Sequence, residues 1–138
     1  MKLKNKMLSM LILPLGILLN QPIEPDNSIQ TPVIQQPLSK IQVIEKYSSE
    51  YNVDPKLVEK VMLCESSGNP NAINNHEPNN VPSVGIMQFQ RKTFDYMSKE
   101  MGEQLDFYSY HDQIKLATWA ISNGMGRHWT CYRKVTGK

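Results

Sequence analysis

Apolar positions along this chain recur at the three- and four-residue steps of a helix. Ile41, Ile44, Tyr47 and Tyr51 predict a helix that opens at Ser39, a good N-cap residue, and stops at Asn52. Leu57, Val58, Val61 and Met62 mark a second helix. Asp54 supplies its N-cap and Pro55 its first position, where a missing N–H costs nothing, and it runs out near Glu65–Gly68. A third helix covers about Arg91–Met101, with Phe94, Met97 and Met101 inward and Gly102 as its stop. A fourth covers about His111–Asn123, with Ile114, Ala117, Ala120 and Ile121 inward. No stretch supports a long strand; at most, the polar loop after Asn71 closes into a short hairpin. The expected fold class is mainly α.

The remaining stretches divide the chain. Lys2, Lys4 and Lys6 precede an uncharged apolar run, Met7–Leu19. As a helix that run rises about 20 Å, short of the roughly 30 Å of a bilayer core. It therefore reads as a signal peptide, or as an uncleaved anchor, since no Ala-x-Ala site follows. Asn20–Leu38 carries four prolines among polar residues and reads as an extended linker. The folded domain is expected at 39–132 and a basic tail at 133–138.

Charge narrows the choice of partner. The net charge is +2, and from Lys40 onward 12 Lys and Arg face 11 Asp and Glu. A nearly neutral domain lacks the electrostatic footprint of a nucleic-acid binder. Any membrane contact is expected through the N-terminal segment alone. Two cysteines, Cys64 and Cys131, fit one disulfide in an exported chain; in a reducing compartment they would be two thiols. His76, His111 and His128 share no metal-ligand spacing, so no metal site is expected. Trp119 and Trp129 read as core or cleft-edge packing.

Glu65 is the residue with chemical promise. A glutamate at a helix end is ordinarily a solvated surface group. This one directly follows the apolar stripe, where desolvation raises a carboxyl pKa and lets it hold a proton near neutral pH, as a general acid must. Cys64 lies about 100° round the helix from it, so a disulfide there would fix the rotation of the helix end. By residue type alone, Met87 and Phe89 fit a core and Gln88 a turn.

The run Glu65-Ser66-Ser67-Gly68-Asn69-Pro70-Asn71-Ala72 resembles the catalytic motif of soluble lytic transglycosylases. Gly85-Ile86-Met87-Gln88-Phe89, followed by Thr93-Phe94, is similar to that family's Gly-Leu-Met-Gln signature. Asp112-Gln113-Ile114, then Gly124-x-Gly126-x-x-Trp129-x-Cys131, resembles resuscitation-promoting factors, a related lysozyme-like family in which a Cys-Glu pair bonds a C-terminal cysteine. The resemblance spans about Ser39–Tyr132. It implies a small lysozyme-like helical domain that cuts the glycan strands of peptidoglycan outside the cytoplasm, as a secreted, periplasmic or wall-associated enzyme. Such cutting serves wall remodelling, attack on a neighbour, or the passage of a secretion or conjugation machine.

Carried over residue by residue, Glu65 is the acid, Ser66 bonds near it, Met87, Gln88 and Phe89 line the cleft, and Asn123 closes its far wall. The resemblance also implies the Cys64–Cys131 bond. One carboxyl performs both proton transfers, so no cofactor is implied. A hydrolase of the same fold would add a second carboxylate, for which Glu77, Asp95 and Asp106 are candidates, and a non-catalytic glycan-binding module of a secretion apparatus would keep the fold without the activity. One departure stands out: the family's Ala-Tyr-Asn before the Gly-x-Gly is here Ala120-Ile121-Ser122.

Overall fold

Side-chain caps start three of the helices of the computed structural model, which describes residues 36–137. The expected signal segment and most of the expected linker lie outside the described residues. Helix α1 (Lys40–Tyr51) opens with a reciprocal capping box: the Gln42 N–H donates to Ser39 Oγ, and the Ser39 N–H donates to Gln42 Oε1. It ends at Asn52 in the left-handed conformation. Helix α2 (Pro55–Ser66) is capped by Asp54, which accepts from the Lys56 N–H at 2.9 Å, and closes at Ser67. Helices α3 (Arg91–Met101) and α4 (Tyr110–Ser122) follow, then a 3-10 turn, Gly126–His128, and a short helix α5 (Thr130–Thr136). Among the described residues, no helix is long and apolar enough to cross a membrane.

Two elements depart from expectation. Ile41 is 44% exposed and Val43 takes its place in the core. At about 100° per residue, position 41 lies about 120° from position 47 while position 43 lies about 40° from it, so the stripe centred on Tyr47 excludes Ile41. Arg133 and Lys134, expected in a tail, belong to α5. The helix is only seven residues long, too short for periodicity to show.

The expected hairpin is present and minimal. Strands β1 (Ile73–Asn74) and β2 (Ser83–Val84) pair antiparallel, Ile73 opposite Val84 and Asn74 opposite Ser83. Val84 and Phe89 then exchange both backbone hydrogen bonds, closing a four-residue turn over Gly85–Gln88.

Helix α4 is the central post. It packs on α1, α3 and the 3-10 turn, and buries Ile114, Leu116, Ala117, Thr118, Ala120 and Ile121 along with Gln113. Helix α2 packs on α1 and α5. An edge-to-face chain of rings, Phe107–Phe94–Phe89–Trp129, runs through the core with centroids 5.1 to 5.3 Å apart. Such contacts contribute about 0.5–1.5 kcal/mol each beyond area burial, and they tie the start of α3 to the turn and to the entry of α5.

Gln113 is the polar centre of this packing. Its Oε1 accepts the Met87 N–H at 3.0 Å, and its Nε2 donates to the Phe107 carbonyl at 2.7 Å and the Val84 carbonyl at 3.2 Å. A buried amide satisfied on both ends fixes whatever it holds, here the two sides of the Gly85–Gln88 turn. Gly85 adopts φ +85°, and a Cβ there would clash with the Gln113 side-chain amide. Gly85→Ala is therefore expected to cost about 2–4 kcal/mol, combining left-handed strain with overpacking. Urea denaturation measures this, and a loss under about 0.5 kcal/mol would show that the clamp yields freely.

Candidate active site

Glu65 occupies the penultimate position of α2 and sits half-buried at the edge of the core. Two bonds hold it there. Cys64, its neighbour, is disulfide-bonded to Cys131 with Cα atoms 5.8 Å apart. The backbone N–H of Cys131 donates to Glu65 Oε1 at 3.1 Å. The disulfide thus delivers the donor that orients the carboxyl.

Burial pushes the Glu65 pKa up, and the charge of Glu77 adds to that. The Cys131 N–H and the Lys134 ammonium pull the other way without cancelling the rise. Desolvation wins because the carboxyl gains one hydrogen bond where water would offer several.

The carboxyl opens onto a polar cleft. Glu77 and Ser83 border it from the hairpin, Gln88 and Phe89 from the turn, and Gln90 and Thr93 from the start of α3. His128, Trp129 and Thr130 close the other side. Hydroxyl, amide and carboxylate groups converging on one acid suit a ligand rich in hydroxyls, as a sugar is.

The residues expected at the cleft divide. Gln88 lies in it with Glu65, as folding back of the Asn- and Pro-rich loop required. Gln88 has φ +52°, and its Nε2 donates to the carbonyls of Gly85 and Ala72, which leaves Oε1 to accept from a ligand. Phe89 borders the cleft but is 2% exposed, with its ring in the aromatic chain. Met87 is a correction: its side chain is fully buried, and what the site uses is its backbone, clamped by Gln113 and by Trp129 Nε1 donating to its carbonyl at 2.7 Å. In a tight turn closed by Val84 and Phe89, one side chain enters the core while the next faces out.

Ser66 and Asn123 do not border the cleft. Ser66 Oγ donates to the carbonyls of Ile86 at 2.7 Å and Met62 at 3.3 Å, so it staples the end of α2 to the turn beside Glu65. Asn123 is exposed at the end of α4, where its Nδ2 donates to the Trp119 carbonyl; it does not border the Glu65 cleft. Helix α4 ends there, and the far wall is built by the next segment, from His128 onward. Of the candidate second carboxylates, Asp95 pairs with Arg91 on the surface and Asp106 accepts from the Tyr108 N–H. Glu77 is the one that borders the cleft.

Gln113 went unassigned at the sequence level, although its position stood out in a motif. A buried glutamine in a helix interior is the signal that points to it. His128 and Thr93 carried no signal beyond polarity.

In a comparison with known families, residues 42–130 match the transglycosylase SLT domain. The chain belongs to that family. Membership establishes the lysozyme-like fold and, at family level, lytic transglycosylase activity toward peptidoglycan. In this SLT domain the matched span holds the acid, the hairpin, the turn and the start of α5.

The raised pKa of Glu65 has a consequence for stability. A carboxyl whose folded pKa exceeds its unfolded value binds more protons when folded, so it destabilises the fold as pH rises from about 4.3, the unfolded value, through the folded pKa. Glu65→Gln keeps an oxygen for the Cys131 N–H and removes that penalty. The SLT domain carrying it is expected to melt higher than wild type at pH 7, with the gain vanishing below pH ~4. Equal melting at both pH values would show that Glu65 is not desolvated.

Proposed function

We propose that this chain is an exported lytic transglycosylase in which Glu65 serves alone as acid and then base. The observation that carries the proposal is a desolvated carboxyl, pinned by the Cys131 N–H, that opens onto a cleft lined by hydroxyl, amide and carboxylate groups. The expected substrate is the β-1,4 bond between N-acetylmuramic acid and N-acetylglucosamine. Glu65 first gives its proton to the glycosidic oxygen, and the C1–O bond breaks. The resulting carboxylate accepts the proton of the muramoyl 6-hydroxyl as O6 bonds C1. The product is a 1,6-anhydro ring, no water is consumed, and Glu65 ends protonated for the next cycle.

Gln88 Oε1 is suited to accept from a sugar hydroxyl beside the acid, and Thr93 and Thr130 offer further hydroxyl groups. Export through the N-terminal apolar segment would bring the domain to the wall and permit the disulfide to form. A lysozyme-type hydrolase would use the same acid and differ in its product.

Digestion of purified peptidoglycan, read by mass spectrometry, tests the proposal. Anhydro-muropeptides are expected, one water lighter than hydrolysed ones. Glu65→Gln is expected to lower their release by at least about 10²-fold, the scale of a lost general acid. Activity within threefold of wild type would remove Glu65 from the role, and purely hydrolysed products would replace transglycosylation by hydrolysis.

A further inference from the structure

The geometry points to Glu77 as a second catalytic carboxylate, facing Glu65 across the cleft and stabilising the positive charge that develops at C1 when the glycosidic bond breaks. This rests on the reading of the cleft as a glycan-cleaving site.

Glu77 is held differently from the surface acids of the chain. Its Oε1 accepts from Ser83 Oγ at 2.7 Å and from Asn74 Nδ2 at 3.1 Å. Ser83 and Asn74 are paired opposite one another in the hairpin, so the two-stranded sheet acts as a clamp on one carboxylate oxygen. The carboxylate borders the cleft together with Glu65. Burial favours protonation at Glu65. The two carboxyls sit in contrasting settings: one desolvated and suited to donate a proton, the other anchored by neutral donors of the hairpin. That division of labour is what glycoside cleavage with an oxocarbenium-like transition state can use.

The chemistry balances without a new reactant. As the C1–O bond breaks and Glu65 protonates the departing oxygen, positive charge spreads over C1 and the ring oxygen. Glu77 offsets that charge through space and forms no bond. When O6 closes on C1 and releases its proton to Glu65, the charge at C1 disappears and Glu77 is unchanged. A preorganised charge of this kind acts most strongly in a cleft from which water is partly excluded.

The bland alternative makes Glu77 a staple of the hairpin. Glu77→Gln separates the two, because the amide oxygen still accepts from Ser83 and Asn74 while the charge is gone. Kinetics of the full chain on a soluble glycan of alternating N-acetylglucosamine and N-acetylmuramic acid should show kcat down about 10- to 100-fold with KM within about threefold. The alkaline limb of kcat/KM, which reports protonated Glu65, should move to lower pH, because the repulsion that helps Glu65 keep its proton is lost while the Lys134 ammonium remains.

Asn74→Ala, which removes one anchor and keeps the charge, should retain the wild-type position of that limb and lose less rate than Glu77→Gln. It also serves where Glu77→Gln folds poorly, since a staple role predicts that the two variants fail alike. Glu77→Gln with wild-type kcat and an unmoved limb overturns the proposal, as does Asn74→Ala matching Glu77→Gln in both. Full activity of Glu65→Gln in the same assay would instead overturn the reading of the cleft itself.

Discussion

The tie between the end of α2 and the start of α5 is the constraint on which the site depends. The Cys64–Cys131 bond brings together segments 67 residues apart, and the Cys131 N–H then meets the carboxyl of the residue beside Cys64. Covalent and polar links act on adjacent residues, so rotation of the α2 terminus, depth of burial and aim of the carboxyl are set together. Entropic models assign a loop of this size about 4 kcal/mol of stabilisation, although that account is contested. The positional effect matters more to the chemistry, because an acid at a fraying helix end would regain water and lose its raised pKa.

A second set of bonds fits the turn to that acid. Gln113 holds Val84 and Met87, Trp129 holds the Met87 carbonyl, and Ser66 holds the Ile86 carbonyl. These three anchors come from α4, the α5 entry and α2, so three separate segments grip the same turn. Gln88, the next residue, is thereby presented to the cleft in a left-handed conformation that few non-glycine residues adopt unaided.

Much of this was legible in the sequence. Caps at Ser39 and Asp54, the stop at Gly102 and the apolar stripes of α2, α3 and α4 are local signals, and local physics settled them. Glu65 was legible because its place after a buried stripe implies desolvation, and motif order placed Gln88 with it. The placements of Met87 and Ser66 were not legible, for one shared reason. Which way a side chain points out of a tight turn or a helix end depends on the partner that grips the backbone, and those partners, Gln113, Trp129 and Ile86, lie 20 to 42 residues away. Glu77 stood among three equivalent acids until the hairpin register placed Asn74 and Ser83 on either side of its carboxylate.

The disulfide also gives the chain a topology. Every residue bordering the cleft, from Glu65 to Thr130, lies between the two bonded cysteines. The site is thus contained within a covalent macrocycle, with α1 as an external brace. A single peptide-bond cut in the exposed loop around Asn79 and Asn80 would open the ring into a two-ended chain yet leave the acid and the turn covalently joined. In a milieu rich in proteases, such an architecture lets a nicked enzyme keep both walls of its cleft.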